Sequence, residues 1–465
     1  MIFTRQNIYD ISNIIIKPVT LKYEKSFHHD KNIYYMSRID NYIYCKQCIS
    51  EKPYDEFTIR INIENPLEPL FDTNFYKNNY VASHNMYLFK DNSDNIKAIG
   101  GQALGISSKE YFSNNMFKNY LDLNPFINSQ PYGITMTGCE KIHDPNIICP
   151  YYGNGLHLFE LQYNNFICLN NNLPIISGIH SGRHDGHYGY TDNNNINNSR
   201  NGLTVYDSLG SIIFNKEKQL YFLYHRANIG TGRRAIQYST SNDLIKWSEY
   251  NLVKFGEDFN YFNSNMYNSN FLKLGNVYLA ILPYIRKLSN DYYSFENIQY
   301  NNLYYSYDCI NYNLLGSILV NQNITEIEQY EFASNFPYLC KNIMYHYVRN
   351  TLNKNIDIYS SKKNRFCYIT NDNYNECEFK MHITNFNKKH IILNLEVHNN
   401  GYILIQLNDI TNKAIINFTY DCFDKIINSD LIEKEISWNN NNIILLTEFI
   451  ICFKLFNAKL YTINI

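Results

Sequence analysis

The chain has no basic block or stripe, and its formal net charge is only -2 over 465 residues, which argues against a surface built to grip nucleic-acid phosphates. No apolar run approaches the length of a membrane-spanning helix, so no membrane partner is expected. The opening residues, MIFTRQNIYDISNIIIKPVT, interrupt their one short apolar run at Lys17 and Pro18 and lack a small-residue cleavage site; no secretory signal is expected there. Phosphate-cradling loops, dinucleotide fingerprints and nucleophile elbows are missing as well. The 11 cysteines are odd in number and follow no framework spacing, which suits reduced thiols in a cytosol-like compartment. Cys45 and Cys48 form a CxxC, but zinc needs four ligands and no second pair follows at zinc-site spacing, so neither a metal nor a cofactor is expected.

What the chain does have is apolar and aromatic. Hydrophobic residues make up 45% and charged residues 18%, enough to bury a large core and too few charges for disorder. With 44 Tyr and 28 Phe the composition favours strands, although Asn, Ile, Tyr, Lys and Phe share AT-rich codons, and that bias accounts for much of the excess. The length suits two domains.

One pattern recurs along the chain: an alternating strand ends in Ser, a short turn carries Asp or Asn, and an aromatic follows. IQYSTSNDLIKWSEY from Ile236 is the clearest copy, with Ser241, Asp243 and Trp247 as structural turn residues; GLHLFELQYNNFICL from Gly155, LYYSYDCINYNLL from Leu303 and IDIYSSKKNRFCYI from Ile356 are weaker ones. Each follows a further strand pair, at His84, Ser211, Asn270 and Asn342. Four-stranded units in series are the mark of propeller blades. NIYYMSRIDNYIYC from Asn32 reads as strands closing the ring. From about Phe379 longer alternating strands take over. The expectation is an all-β chain, with a five-bladed β-propeller over 1–375 and a β-sandwich over 376–465.

The run YDSLGSIIFNKEKQLYFLYHRANIGTGRRAIQYSTSNDLIKWSEY, Tyr206 to Tyr250, resembles the second blade of proteins related to glycoside hydrolase families 32, 43 and 68, and the ISW at Ile436 with the final FKLFNAKLYTI resembles the sandwich that follows those propellers. The resemblance implies an acid from each of the first three blades at the tunnel, one donating a proton while another attacks or activates water. It assigns the stabilising acid to Asp207 at the start of an innermost strand. The first-blade position falls on Ser83 to Asn85 and the third-blade position on Met266 to Asn270, neither with a carboxylate. The stand-in acids are Asp185, in the Gly-flanked GRHDGHYGY run with Arg183 and His184, and Glu331. His84, Asn85, Arg226, Arg234, Tyr267 and Asn268 complete the expected sugar contacts, Arg226 through a guanidinium that forks onto a carboxylate or sugar oxygen. The partner expected is a carbohydrate, bound with or without cleavage; the alternatives are a non-catalytic carbohydrate-binding or structural propeller and a protein-interaction propeller.

Overall fold

A computed structural model of the protein describes the strands named below and the turns within 14–28, 165–171, 210–229, 233–256, 271–275, 298–317, 337–350, 355–371 and 375–465. The chain is all-β, arranged in several separate sheets, and among the described residues the one helical element is a single 3-10 turn, Tyr420–Cys422.

The first strands are β1 (Tyr9–Ser12), β2 (Ile14–Pro18) and β3 (Lys22–His28). An antiparallel sheet follows from β4 (Ile33–Ile39), β5 (Tyr42–Gln47), β6 (Thr58–Asn62) and β7 (Pro69–Asp72), then a hairpin of β8 (His84–Lys90) and β9 (Ile96–Gly101). After β10 (Ile134–Thr137) come short strands in two three-stranded sheets. One joins β11 (Ile147–Ile148), β14 (Phe159–Gln162) and β15 (Asn165–Cys168); the other joins β12 (Tyr151–Tyr152), β13 (Gly155–Leu156) and β16 (Ile176–Ser177). The copy expected as one hairpin at Gly155 is therefore shared between two sheets.

Three large sheets follow in chain order. Sheet 1 is β10 beside β17 (Gly210–Asn215), β18 (Leu220–Ile229), β19 (Arg233–Ser241) and β20 (Asn251–Leu252). Sheet 2 contains β21 (Lys254–Phe255), β22 (Ser264–Met266), β23 (Phe271–Leu274), β24 (Val277–Arg286), β25 (Ile298–Ser306) and β26 (Asn311–Ser317). Sheet 3 contains β27 (Tyr330–Phe332), β28 (Tyr338–Cys340), β29 (Ile343–Asn350), β30 (Asn355–Lys362) and, from the far N-terminus, β3.

Period-2 alternation gives each sheet two apolar faces, and successive sheets bury them against one another. Phe222, Tyr224 and Ile236 of sheet 1 meet Met266, Phe271, Tyr278, Ala280 and Leu282 of sheet 2 in one core. The alternate residues of β24, Val277, Leu279 and Ile281, pack with Met344 and Val348 of sheet 3 in the next.

Two expectations change here. Sheet 3 is completed by β3, not by the strands from Asn32, which form their own sheet with β6 and β7. Side chains fix this register: Ser26 Oγ donates to Asp357 Oδ1 at 2.5 Å, and Ser360 Oγ donates to Glu24 Oε1 at 2.5 Å. The copy at Ile356 is likewise not a hairpin within one sheet. With the edge of β30 taken by β3, β31 (Cys367–Asn371) leaves to pair with β2 and the C-terminal strand β35 (Phe449–Asn464).

That C-terminal sheet joins β1, β2, β31, β32 (Cys377–Ile383), β33 (Ile392–Asn408), β34 (Ser429–Glu435) and β35 by continuous hydrogen bonding, so strands from before residue 375 belong to it. Alternate residues Phe379, Met381, Leu393, Leu395, Ile405, Phe453 and Leu455 form its core with Phe423, Ile436 and Trp438 from the connecting segments. Arg365, buried in the β30–β31 turn, locks sheet 3 to this unit. Its Nε donates to Asn394 Oδ1 at 2.8 Å and its Nη2 to Leu395 O at 3.0 Å and Asp430 Oδ1 at 2.7 Å, with the guanidinium 4.1 Å from the Tyr461 ring centroid. At Gly316, φ 135°, an added Cβ would come 2.8 Å from Pro18 Cγ, so the end of β2 crosses sheet 2 where no side chain fits.

Candidate functional site

The surfaces of sheets 1 and 2 that meet are held apart by a layer of buried aromatics. Tyr224 stacks on Phe271 with centroids 3.8 Å apart, and its hydroxyl donates to Cys309 O at 2.7 Å and lies 3.1 Å from the Tyr312 hydroxyl. Burial pushes both phenols well above their ordinary range, so they stay neutral hydrogen-bonding groups. His225, between Tyr224 and Arg226, lies on the opposite face and packs edge-on against Tyr250 at 4.6 Å.

Beyond the aromatic layer, toward the ends of β18 and β24, the floor between the sheets is Ile236 and Met266, each 1% exposed. Strand register fixes the backbone positions of three arginines near these ends. Arg226 pairs with Ile236 and Arg234 with Asn228, which makes Arg226 and Arg234 diagonal neighbours on the face that carries Tyr224 and Ile236. Across from them, Arg286 ends β24 on the same alternation as Tyr278, Ala280 and Leu282, paired with Ser264 of β22.

Of the residues expected from the sequence, Asp207, Asp185, Arg183, His184, Tyr267 and Asn268 lie outside the described residues. His84, Asn85, Arg226, Arg234 and Glu331 have described backbone positions. His84 and Asn85 open β8, which pairs with β9. Glu331 on β27 stands opposite Arg349 on β29. Arg349 alternates with Met344 and Val348, the residues of β29 that meet sheet 2, and so belongs to the other side of sheet 3. Register therefore joins Arg226 with Arg234 and sets Glu331 apart from them. Residues 207–209 lie outside the described residues; from Gly210 on, one backbone edge of β17 is occupied by β10 in parallel register, Ile134 opposite Gly210, so β17 is not the edge strand of its sheet.

Arg286 was not among the expected residues. A signal for it does exist in the sequence: Tyr224-His225-Arg226, Tyr284-Ile285-Arg286 and Tyr347-Val348-Arg349 all lie toward the end of the second long strand of successive sheets. Among the described ladder partners, only that of the third of these arginines is an acid.

Asp243 and Asp308 do turn work instead. Asp243 Oδ1 accepts the amides of Ile245 at 2.9 Å and Lys246 at 2.8 Å, and Asp308 Oδ1 accepts those of Ile310 at 2.9 Å and Asn311 at 2.8 Å. Among the described residues no group of His, Cys, Asp and Glu is arranged to hold a metal.

No protein-family model and no curated protein matches the sequence. Solved structures do match. One is a glycosyl hydrolase from Bacteroides ovatus, at 10% identity and TM-score 0.37, covering 77% of this chain and 93% of that one. Another is a glycoside hydrolase family 43 arabinoxylan arabinofuranohydrolase from Bacillus subtilis in complex with cellotetraose, at 8% identity and TM-score 0.33, covering 94% and 96%. A third is an α-L-arabinofuranosidase from Fusarium graminearum, at 8% identity and TM-score 0.32, covering 76% and 98%. All three are named for enzymes that cleave glycosides.

Proposed function

We propose that the chain is a glycoside hydrolase-like β-propeller that binds a glycan at the mouth of a central tunnel, beside Asp207, with Arg226 and Arg234 at the same mouth. In this reading the sheet β4–β7, the strands β8, β9 and β11–β16, and sheets 1, 2 and 3 are its five blades. The observation that carries it is the packing of sheets 1, 2 and 3: consecutive in the chain, face to face through shared apolar cores, the last completed by a strand from the N-terminus. A strand from the N-terminus added to the last sheet ties the two ends of a ring of sheets together, which favours a closed ring over an open stack.

Binding takes precedence over cleavage in this reading because two segments aligned with family acids, Ser83 to Asn85 and Met266 to Asn270, contain no carboxylate. The test is a glycan array together with a screen of chromogenic glycosides, run on the wild type and on Asp207→Ala. The expected result is glycan binding by the wild type that the substitution abolishes while the melting temperature is unchanged. Equal binding and turnover in the two proteins would reject Asp207 as the site.

A further inference from the structure

We infer that Asn400 is a site of spontaneous deamidation in the folded protein, converted by water to aspartate and isoaspartate through a cyclic imide formed with Gly401. The observation is a bulge that dictates both residues of the pair. On either side of it β33 and β35 run in register, Val397 opposite Ala458 and Tyr402 opposite Phe456, so residues 398–401 face Asn457 alone. Asn457 is pinned there: its backbone amide donates to Asn371 Oδ1 at 3.1 Å and its Nδ2 to Asn399 O at 2.9 Å.

Position 401 admits only glycine. Gly401 is buried, and a Cβ there would run into the backbone oxygens of Asn457 and Phe456, the latter at 2.7 Å. The residue before it turns the chain with φ 62°, the left-handed region that asparagine tolerates better than most side chains. Packing and backbone together therefore select Asn-Gly, and that pair is chemically labile. Glycine has no Cβ to obstruct the approach of its nitrogen to the asparagine Cγ. Asn400 is exposed, so water reaches the side-chain amide.

The Gly401 backbone nitrogen gives its proton to solvent base, and its electron pair attacks Asn400 Cγ. The bond from Cγ to Nδ2 breaks and that nitrogen leaves as ammonia. Water then opens the five-membered imide. Opening at Cγ yields aspartate; opening at the main-chain carbonyl carbon yields isoaspartate, whose backbone is one methylene longer. One water is consumed and one ammonia released, with no oxidation or reduction. The chain holds its own comparison: Asn428 and Asn457 also take positive φ, 41° and 45°, but Ser429 and Ala458 follow them and hinder the attack. Among the described asparagines at positive φ, Asn400 alone precedes glycine.

The test holds the full chain folded at neutral and at mildly alkaline pH, with a parallel sample in guanidinium chloride, and follows both by peptide mass spectrometry. The expected result in the folded sample is a gain of about 1 Da in the peptide carrying residue 400, with isoaspartate detected by enzymatic methylation. Conversion should be faster at the higher pH, faster than at Asn428 or Asn457, and absent from Asn400→Gln. Conversion at 400 in guanidinium with none in the folded sample would overturn the inference, because the fold would then be holding the Gly401 nitrogen away from Cγ. Folded-state conversion no faster than at Asn428 and Asn457 rejects it as well. Should Asn400→Gln fail to fold, the comparison among the three asparagines of the folded wild type decides alone.

Discussion

His346 lies in sheet 3 on the face that meets sheet 2, with Nε2 3.2 Å from Ser361 Oγ. Burial pushes its imidazole down from the ordinary 6.5 to about 3. The unfolded chain therefore takes up a proton on this ring as pH falls through about 6.5, while the folded chain refuses it until about pH 3. Stability from this group is complete above that window and drains away as pH drops across it. Urea unfolding at pH 7 and pH 4.5 should show a loss for the wild type that is smaller in His346→Gln; identical losses would show that other groups set the acid sensitivity. The arginines show what single residues reveal in advance. The hairpin that carries Arg226 and Arg234 was legible, because its strands alternate around a marked turn. Which sheet each face of β24 meets was not, because alternation names a face without naming the neighbour.

The Ser-x-Asp turns show the same limit one level up. Ser241 Oγ accepts the amides of Asp243 and Leu244 at 3.2 and 2.8 Å, and Ser306 Oγ accepts those of Asp308 and Cys309 at 3.2 and 3.0 Å, so two turns 65 residues apart are built alike. In both, a non-glycine residue takes positive φ, 67° at Leu244 and 67° at Cys309, a conformation costing about 1 kcal/mol or more that these hydrogen bonds offset. At Asp308 burial raises the carboxyl pKa, but the amides of Asn311 and Ile310 outweigh it and the net shift is downward; at Asp243 the Lys246 amide leads the lowering. Asp308→Ala should cost about 1–2 kcal/mol in thermal unfolding at neutral pH, since two amides lose their acceptor. The wild-type contribution should persist until pH falls below the usual aspartate range. A neutral substitution would mean that water replaces the carboxylate without loss. The local chemistry of these turns was readable from Ser, Asp and the following aromatic. In the copy at Ser361 the Asp place holds Lys363 and Asn364 takes the positive φ, 63°, before the chain departs for another sheet. Nothing local distinguishes a hairpin that closes from a strand that leaves; Arg365 and the prior claim of β3 on β30 decide it.

At the scale of the molecule, the first 28 residues serve two bodies at once: β1 and β2 lie in the C-terminal sheet and β3 in sheet 3. The sequence reading set a change of strand pattern near residue 375, but β1, β2 and β31 from before it join the C-terminal sheet, and pairing across more than 300 residues leaves no trace in local alternation. Removing residues 1–28 should expose the edge of β30 and deprive β31 and β32 of partners, giving aggregation on size-exclusion chromatography and loss of a single cooperative melt. A truncated chain that stays monodisperse and melts as the full one does would show that these strands are ornamental.

The pairing of β3 with β30 also sets a timetable. Ser26 and Asp357 are 331 residues apart, and at ribosomal rates of roughly 5–20 residues per second the earlier strand waits tens of seconds for its partner to be made. During that interval the nascent chain carries a ready β-strand with nothing to pair with, and whatever shelters it from neighbouring polysomes has as much influence on the yield of folded protein as any contact in the finished structure.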